Sequence, residues 1–187
     1  EIESKTGIKV IIEQSQNHEV TVKTDENLQS ILKTDIKNGV LSIYFEKNNI
    51  SATDKTVYIK MPNISKIRTS SSSSVQSITS IKAENLELKT SSGGEMDLTL
   101  NVLNLNCESS SGSEITAKGK AKNVITKSSS GSSIDLKEME MVTASCKSSS
   151  GSSTKVNPSE TLDANASSAG SIKYFSSPKQ VTAEESS

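Results

Sequence analysis

Ser109-Ser110-Ser111-Gly112-Ser113-Glu114-Ile115-Thr116-Ala117 and Ser128-Ser129-Ser130-Gly131-Ser132-Ser133-Ile134-Asp135-Leu136 are two copies of one pattern. Four more stretches align with them: Thr69–Ser77 (TSSSSSVQS), Thr90–Leu98 (TSSGGEMDL), Ser148–Val156 (SSSGSSTKV) and Ala166–Tyr174 (ASSAGSIKY). The column through the glycine holds Ser72, Gly93, Gly112, Gly131, Gly151 and Ala169, at spacings of 21, 19, 19, 20 and 18 residues. Three places later stand Val75, Met96, Ile115, Ile134, Thr154 and Ile172, and five places later Ser77, Leu98, Ala117, Leu136, Val156 and Tyr174. Five before the glycine come Ile67, Leu88, Cys107, Thr126, Cys146 and Ala164; seven before it, Ser65, Leu86, Leu105, Val124, Ala144 and Leu162.

Each repeat therefore holds two short segments of period 2, the pattern of a strand with one buried face. The Ser-Ser-Ser-Gly between them is a corner, and glycine suits a turn that needs positive φ. A unit of about 20 residues cannot bury its apolar face alone, so neighbours must stack. Leucine-rich repeats share the period but need a Leu-rich frame with an Asn or Cys ladder, and a propeller blade needs roughly 40 residues. The expected fold is all-β: a single-stranded, right-handed parallel β-helix (solenoid) with coils of about 18–21 residues. Its equivalent residues would stack about 4.8 Å apart, and its hand follows the rule for parallel crossovers.

The N-terminal third is less regular. Strand-like runs are Ile8–Glu13, Glu19–Lys23, Gln29–Leu32, Val40–Phe45 and Val57–Met61, separated by Asn-His, Asp-Glu-Asn, Lys-Asn-Gly and Asn48-Asn49 turn signals. They read as opening coils and cap of the same helix, with a separate small β-layer as the alternative. The organisation expected is one β-helix domain over 1–178 (1–62 its less regular coils and cap, 63–178 the Ser/Gly-cornered repeats) and a polar tail over 179–187.

Composition narrows function. Across 187 residues, 21 Lys+Arg face 22 Asp+Glu, for a net charge of -1. That balance argues against nucleic acid or a strongly anionic membrane as main partner. Arg68 is the only arginine, so Arg-built carboxylate or phosphate clamps are nearly absent. Serine, with 38 residues, replaces the apolar ones, which make up only 32%. A flexible linker would be that serine-rich, but periodic serines with β-branched alternation between them are not a linker's. No apolar run is long enough for a transmembrane span; Ile8–Ile12 is strand-sized. The abrupt start at Glu1-Ile2-Glu3 fits an export signal already removed.

From Gly7 to Pro178 the chain resembles the head GIN domain family of auto-transporter adhesins, a bacterial cell-envelope family. Val57-Tyr58-Ile59-Lys60-Met61-Pro62-Asn63-Ile64 is similar to that family's V-x-I-x-x-P-x-L lead into the repeats. The SSSG corners resemble its S-G-A-S or S-G-A-G corners, shifted by one place. Ala169–Pro178 is similar to its closing G-x-[IV]-x-Y-x-G-x-P, with Ser176 where glycine is expected. The resemblance implies a β-helical fold, export to the cell surface, periplasm or exterior, and an adhesive role.

Residues that could carry chemistry have simpler readings. Serine columns such as Ser91, Ser110, Ser129, Ser149 and Ser167 are expected to point inward and hydrogen-bond along the stack; a flat hydroxyl face for sugars is the functional alternative. His18, the sole histidine, sits between Asn17 and Glu19 at a turn and offers no serine-hydrolase triad. Lys127, Lys147 and Lys155 alternate as solvent-facing strand residues do, which speaks against Ser-Lys chemistry. Asp97 and Asp135 share a column two coils apart, with Thr116 between and Glu95 and Glu114 alongside. That spacing suits an inverting glycosidase, but a charged outward face explains it. No metal-binding loop or Cys/His cluster is present. Met139 and Met141, with Val142, read as a core-facing strand with a bend. The aromatics Tyr44, Phe45, Tyr58, Tyr174 and Phe175 would matter to a sugar site only as an outward cluster. Cys107 and Cys146, two coils apart in one inward column, are expected as free buried thiols. The reading is a non-enzymatic exported module without cofactor, metal or catalytic residue, whose partner is a surface glycan or protein. A structural spacer and a carbohydrate-active enzyme are the alternatives.

Overall fold

The computed structural model describes residues 1–47 and 54–186. The Asn48-Asn49 turn signal and Ser187 lie outside them. The chain is a parallel β-solenoid in which the aligned repeats stack one on the next. Glu95–Ser109 lies in parallel register on Glu114–Ser128, with Met96 against Ile115, Leu105 against Val124 and Cys107 against Thr126. The register continues on both sides. Leu88 meets Ile67 and Cys107, Cys146 meets Thr126 and Ala164, and Ile134 meets Ile115 and Thr154. The expected columns are the observed columns.

Alternation along each strand puts one residue in two into the axial core. Ile67, Leu88, Met96, Leu98, Leu105, Ile115, Val124 and Ile134 are all buried there. Burying an apolar side chain of this size contributes roughly 1.5–3 kcal/mol. Repetition along the axis thus builds a continuous core from a chain poor in apolar residues. Met139 and Met141 face inward, and the ladder carries a bulge between Met141 and Thr143, which is the expected bend.

The N-terminal third winds out of order. Val40–Phe45 and Lys55–Met61 form an outer coil, while Ile2–Ser4 and Lys9–Gln14 form the next one inward. The first residues of the chain are thus inserted between later ones. Ile2 pairs with both Leu41 and Ile67, and Val10 with both Val57 and Val75. Glu19–Thr24 and Leu32–Lys37 then close that end by pairing antiparallel to the outer coil. These antiparallel strands use up the backbone groups that an open solenoid end would expose. One expected run is corrected: Gln29–Leu32 is no strand. Leu28, at the end of a short 3-10 turn Glu26–Leu28, points into the core, and the strand begins only at Leu32.

The C-terminal expectation is also corrected. Gln180–Ser186, read as part of a polar tail, is a strand in parallel register with Pro158–Ser167, Val181 on Leu162 and Ala183 on Ala164. Its side chains are exposed throughout, as its composition demands. Backbone pairing to an existing edge needs no apolar side chains, which is why hydropathy missed it.

Candidate functional site

The corner is where the repeat sequence acts most directly on geometry. In the corners at Ser111-Gly112, Ser130-Gly131 and Ser150-Gly151 both residues have positive φ, the serines near 55° and the glycines between 66° and 70°. Two consecutive left-handed residues make a type I′ turn, closed by the amide of Ser132 on the Ser129 carbonyl and of Ser152 on that of Ser149. The sequence reading assigned positive φ to the glycine alone; the preceding serine carries it too. Each corner amide also donates to the next coil, Gly112 to Ser130 O at 3.1 Å and Gly131 to Ser150 O at 3.0 Å. The corners therefore stack as tightly as the strands.

Two serine columns are buried inside this corner. One runs Thr69, Thr90, Ser109, Ser128, Ser148; the other runs Ser73, Ser113, Ser132, Ser152. Their hydroxyls satisfy one another along the axis: Thr90 Oγ1 donates to Ser109 Oγ at 2.9 Å, and Ser113 Oγ donates to Thr90 Oγ1 at 3.0 Å. Ser128 Oγ lies 3.1 Å from Ser148 Oγ, 3.0 Å from Ser152 Oγ and 2.9 Å from Thr154 Oγ1. This is the hydroxyl ladder expected from sequence, but in different columns. Ser91, Ser110, Ser129 and Ser149, expected inside it, are half-buried on the rim. Among the described residues their hydroxyls have no protein partner; it is their backbone that is bonded, the Ser110 and Ser129 amides donating to the Thr90 and Ser109 carbonyls.

Those rim serines form one wall of a groove of about 650 Å³ that runs parallel to the solenoid axis. The other wall is the outward column Glu3, Arg68, Lys89, Glu108, Lys127, Lys147, each in register with the next. Lys89 sits between two carboxylates, 2.8 Å from Glu87 and 2.9 Å from Glu108, and those hydrogen bonds push its pKa up. Glu87, held by Lys66 at 2.6 Å and by Lys89, lies below the usual carboxylate range. Lys127 reaches Glu108 only at 3.8 Å. Lys147 and Arg68 make no ion pair among the described residues, and Arg68 Nε is buried there with no hydrogen-bond partner. Composition marks Arg68 as the lone arginine but does not give it a place. The signal was available, since the column four before the corner glycine reads Arg68, Lys89, Glu108, Lys127, Lys147.

The remaining candidates are dispersed. His18 is exposed in the turn before Glu19–Thr24, the strand that pairs antiparallel to Lys55–Met61 at the N-terminal end of the stack. Asp97, Thr116 and Asp135 do share one outward column. Asp135, however, is held by Lys155 at 2.9 Å and Lys137 at 3.7 Å. Burial pushes its pKa up, but the Lys155 hydrogen bond, the Lys137 amide and both charges outweigh that, and the net shift is downward. A carboxylate held ionised cannot act as the general acid of a glycosidase. Lys127, 58% exposed in its side chain, keeps the water that a lysine base must lose. Among the described residues no three His, Cys, Asp or Glu side chains group as a metal site. Tyr58 and Tyr174 stand at opposite ends of their face of the stack, and no aromatic lines the groove. An outer ladder not foreseen links Asn85, Asn104 and Asn123 by side-chain amide bonds of 2.8 Å, ending on Thr143. Its register, which is that of the serine repeats, would have revealed it.

A β-solenoid with hydroxyl-laddered corners and a lateral groove is thus the class of protein defined by fold and site. A family model described as "Putative auto-transporter adhesin, head GIN domain" matches residues 1–178, and the chain belongs to that family. Solved structures share the fold. One described as a putative adhesin from Bacteroides fragilis superposes with a TM-score of 0.86 at 17% identity, covering 99% of this chain and 87% of that one. Another, described as a putative lipid binding protein from Parabacteroides distasonis, gives 0.75 at 20% identity over 99% and 90% of the two chains. A putative adhesin from the same species gives 0.77 at 21% identity, again over 99% and 90%. No curated protein matches the chain.

Proposed function

We propose that this domain is a non-enzymatic, exported adhesive module of the bacterial cell envelope, and that it takes its ligand in the groove along the solenoid corner. The single observation behind this is the row of hydroxyls at Ser91, Ser110, Ser129 and Ser149. They face a groove of about 650 Å³ and have no protein partner among the described residues. Binding sites are concave, with a few convergent polar groups. The family description and the adhesin descriptions of the similar structures support an envelope location and a binding role. No helix among the described residues is long and apolar enough to cross a membrane. The test is an array of glycans and matrix proteins probed with the purified domain and with Ser129→Tyr, which fills the groove from its rim. Binding that Ser129→Tyr abolishes while the fold is retained is the expected result. Binding indifferent to that substitution moves the site elsewhere, and no binding at all favours the spacer.

A further inference from the structure

The groove differs in charge from the chain as a whole. It holds four cations, Arg68, Lys89, Lys127 and Lys147, against two carboxylates, Glu3 and Glu108, on a chain whose net charge is -1. Both carboxylates are already engaged, Glu108 by Lys89 and Lys127, and Glu3 by Lys5 at 3.1 Å. The cations left over are Arg68 at one end, with its unpartnered Nε, and Lys147 at the other, with Lys127 only loosely held beside it. All are in single file on successive rungs, and each of Lys89, Glu108, Lys127 and Lys147 has a rim hydroxyl two residues further on, at Ser91, Ser110, Ser129 and Ser149. One cation or carboxylate and one free hydroxyl recur at every step of about 4.8 Å along some 14 Å of axis from Lys89 to Lys147.

Resting on the binding reading above, the geometry points to an extended acidic polysaccharide as the groove's ligand, a uronate-type glycan lying along the solenoid axis with its carboxylates on Arg68, Lys127 and Lys147 and its hydroxyls on the rim serines. A polymer of identical units is what a repeating wall can meet more than once, and a pyranose unit is comparable in length to one rung. An extended peptide advances about 3.3 Å per residue, so three residues span two rungs and only alternate rungs would meet a residue in phase. Single-stranded nucleic acid relies on aromatic stacking, and the groove has no aromatic. A neutral glycan would likewise find neither the aromatic face it packs on nor a use for the cations. Carboxylates give charge-assisted bonds, stronger than those between neutral groups. An anionic membrane is held by a strongly basic patch, and two of the six residues in this column are carboxylates.

Oligogalacturonates of graded length, titrated calorimetrically into the full chain at low salt, test this. Affinity should rise with length to about five units and then level, because the cations from Arg68 to Lys147 span that many rungs. It should weaken with added salt. Lys127→Gln/Lys147→Gln should lose at least tenfold in affinity with an unchanged melting temperature, and Arg68→Gln should shorten the length dependence. Dextran, a neutral glucan, should not bind. The inference is overturned by no saturable binding of the uronates, by equal binding of dextran, by indifference to the double substitution, or by preference for phosphatidylglycerol vesicles. If any of these occurs while an array ligand is still lost on Ser129→Tyr, the groove remains the site and only the ligand class fails.

Discussion

Cys107 and Cys146 occupy one inward column with Thr126 between them: Cys107 registers on Thr126 across one coil boundary and Thr126 on Cys146 across the next. Two steps of the stack separate their Cα atoms by about 9.6 Å, beyond the roughly 7 Å a disulfide spans. Both thiols are free and buried.

Burial raises both thiol pKa values, that of Cys146 from 9.0 to about 11 and that of Cys107 further. Thiol reagents should therefore label neither cysteine in the native protein at pH 8 and both in denaturant. The linkage sign is definite. A raised native pKa favours folding below the unfolded value and loses that advantage as pH rises from about 9 toward the native value. Stability should fall over pH 9–11, with Cys146 accounting for about 2 kcal/mol of the loss. Urea midpoints should fall less steeply with pH in Cys107→Ala/Cys146→Ala; an identical slope would remove the thiols from the explanation.

The glycines divide into two kinds. A Cβ on Gly119, whose φ is 113°, would sit 2.1 Å from the Leu100 carbonyl oxygen, whereas one on Gly131 would meet nothing within 4 Å. Gly119→Ala forces backbone apart between coils and should cost about 3 kcal/mol or more. Gly131→Ala carries only the left-handed penalty, about 1–2 kcal/mol, and Gly131→Asn less. Thermal melts of the three variants should rank in that order.

Neighbouring serines should behave oppositely. Ser128→Ala removes the hub joining Ser148, Ser152 and Thr154 and leaves buried hydroxyls short of a partner, at about 1–3 kcal/mol. Ser129→Ala removes a hydroxyl with no partner among the described residues and should change stability by under about 0.5 kcal/mol, while weakening whatever binds the groove. Melting and binding curves of the pair separate scaffold from site.

Asp135, His18 and Asp97 should prove irrelevant to binding. Asp135→Asn loses the Lys155 and Lys137 ion pairs and should destabilise by about 1 kcal/mol at pH 7. Because its native pKa is lowered, that contribution is present above the ordinary carboxylate value and is lost as pH falls through the native one. His18→Ala and Asp97→Asn should be neutral in melts and on ligand arrays. Loss of a hydrolytic activity in any of the three would reinstate the enzyme alternative.

How much was legible follows from the period. From residue 65 to 174 each coil repeats the last, so aligning Ile67, Leu88, Cys107, Thr126, Cys146 and Ala164 by their distance from the corner already states which residues touch. In parallel stacking, position in the repeat and position in space are the same variable. The inward alternation, the hydroxyl-filled corner and the unbridged cysteines all came from that identity.

Three things did not. The insertion of Ile2–Ser4 and Lys9–Gln14 between later coils is long-range, and no local pattern records which edge a strand will join. The strand Gln180–Ser186 is held through its backbone, and backbone pairing is silent in hydropathy. Alternation already sends Ser128 inward after Val124 and Thr126 and leaves Ser129 outside; that these outward serines line one groove with the column from Arg68 to Lys147 depends on how the coils are placed. The sequence by itself determined the coil and its register, because repetition makes those local. Only the tertiary structure decided the winding order and the groove, because both depend on how turns of the chain are placed against one another.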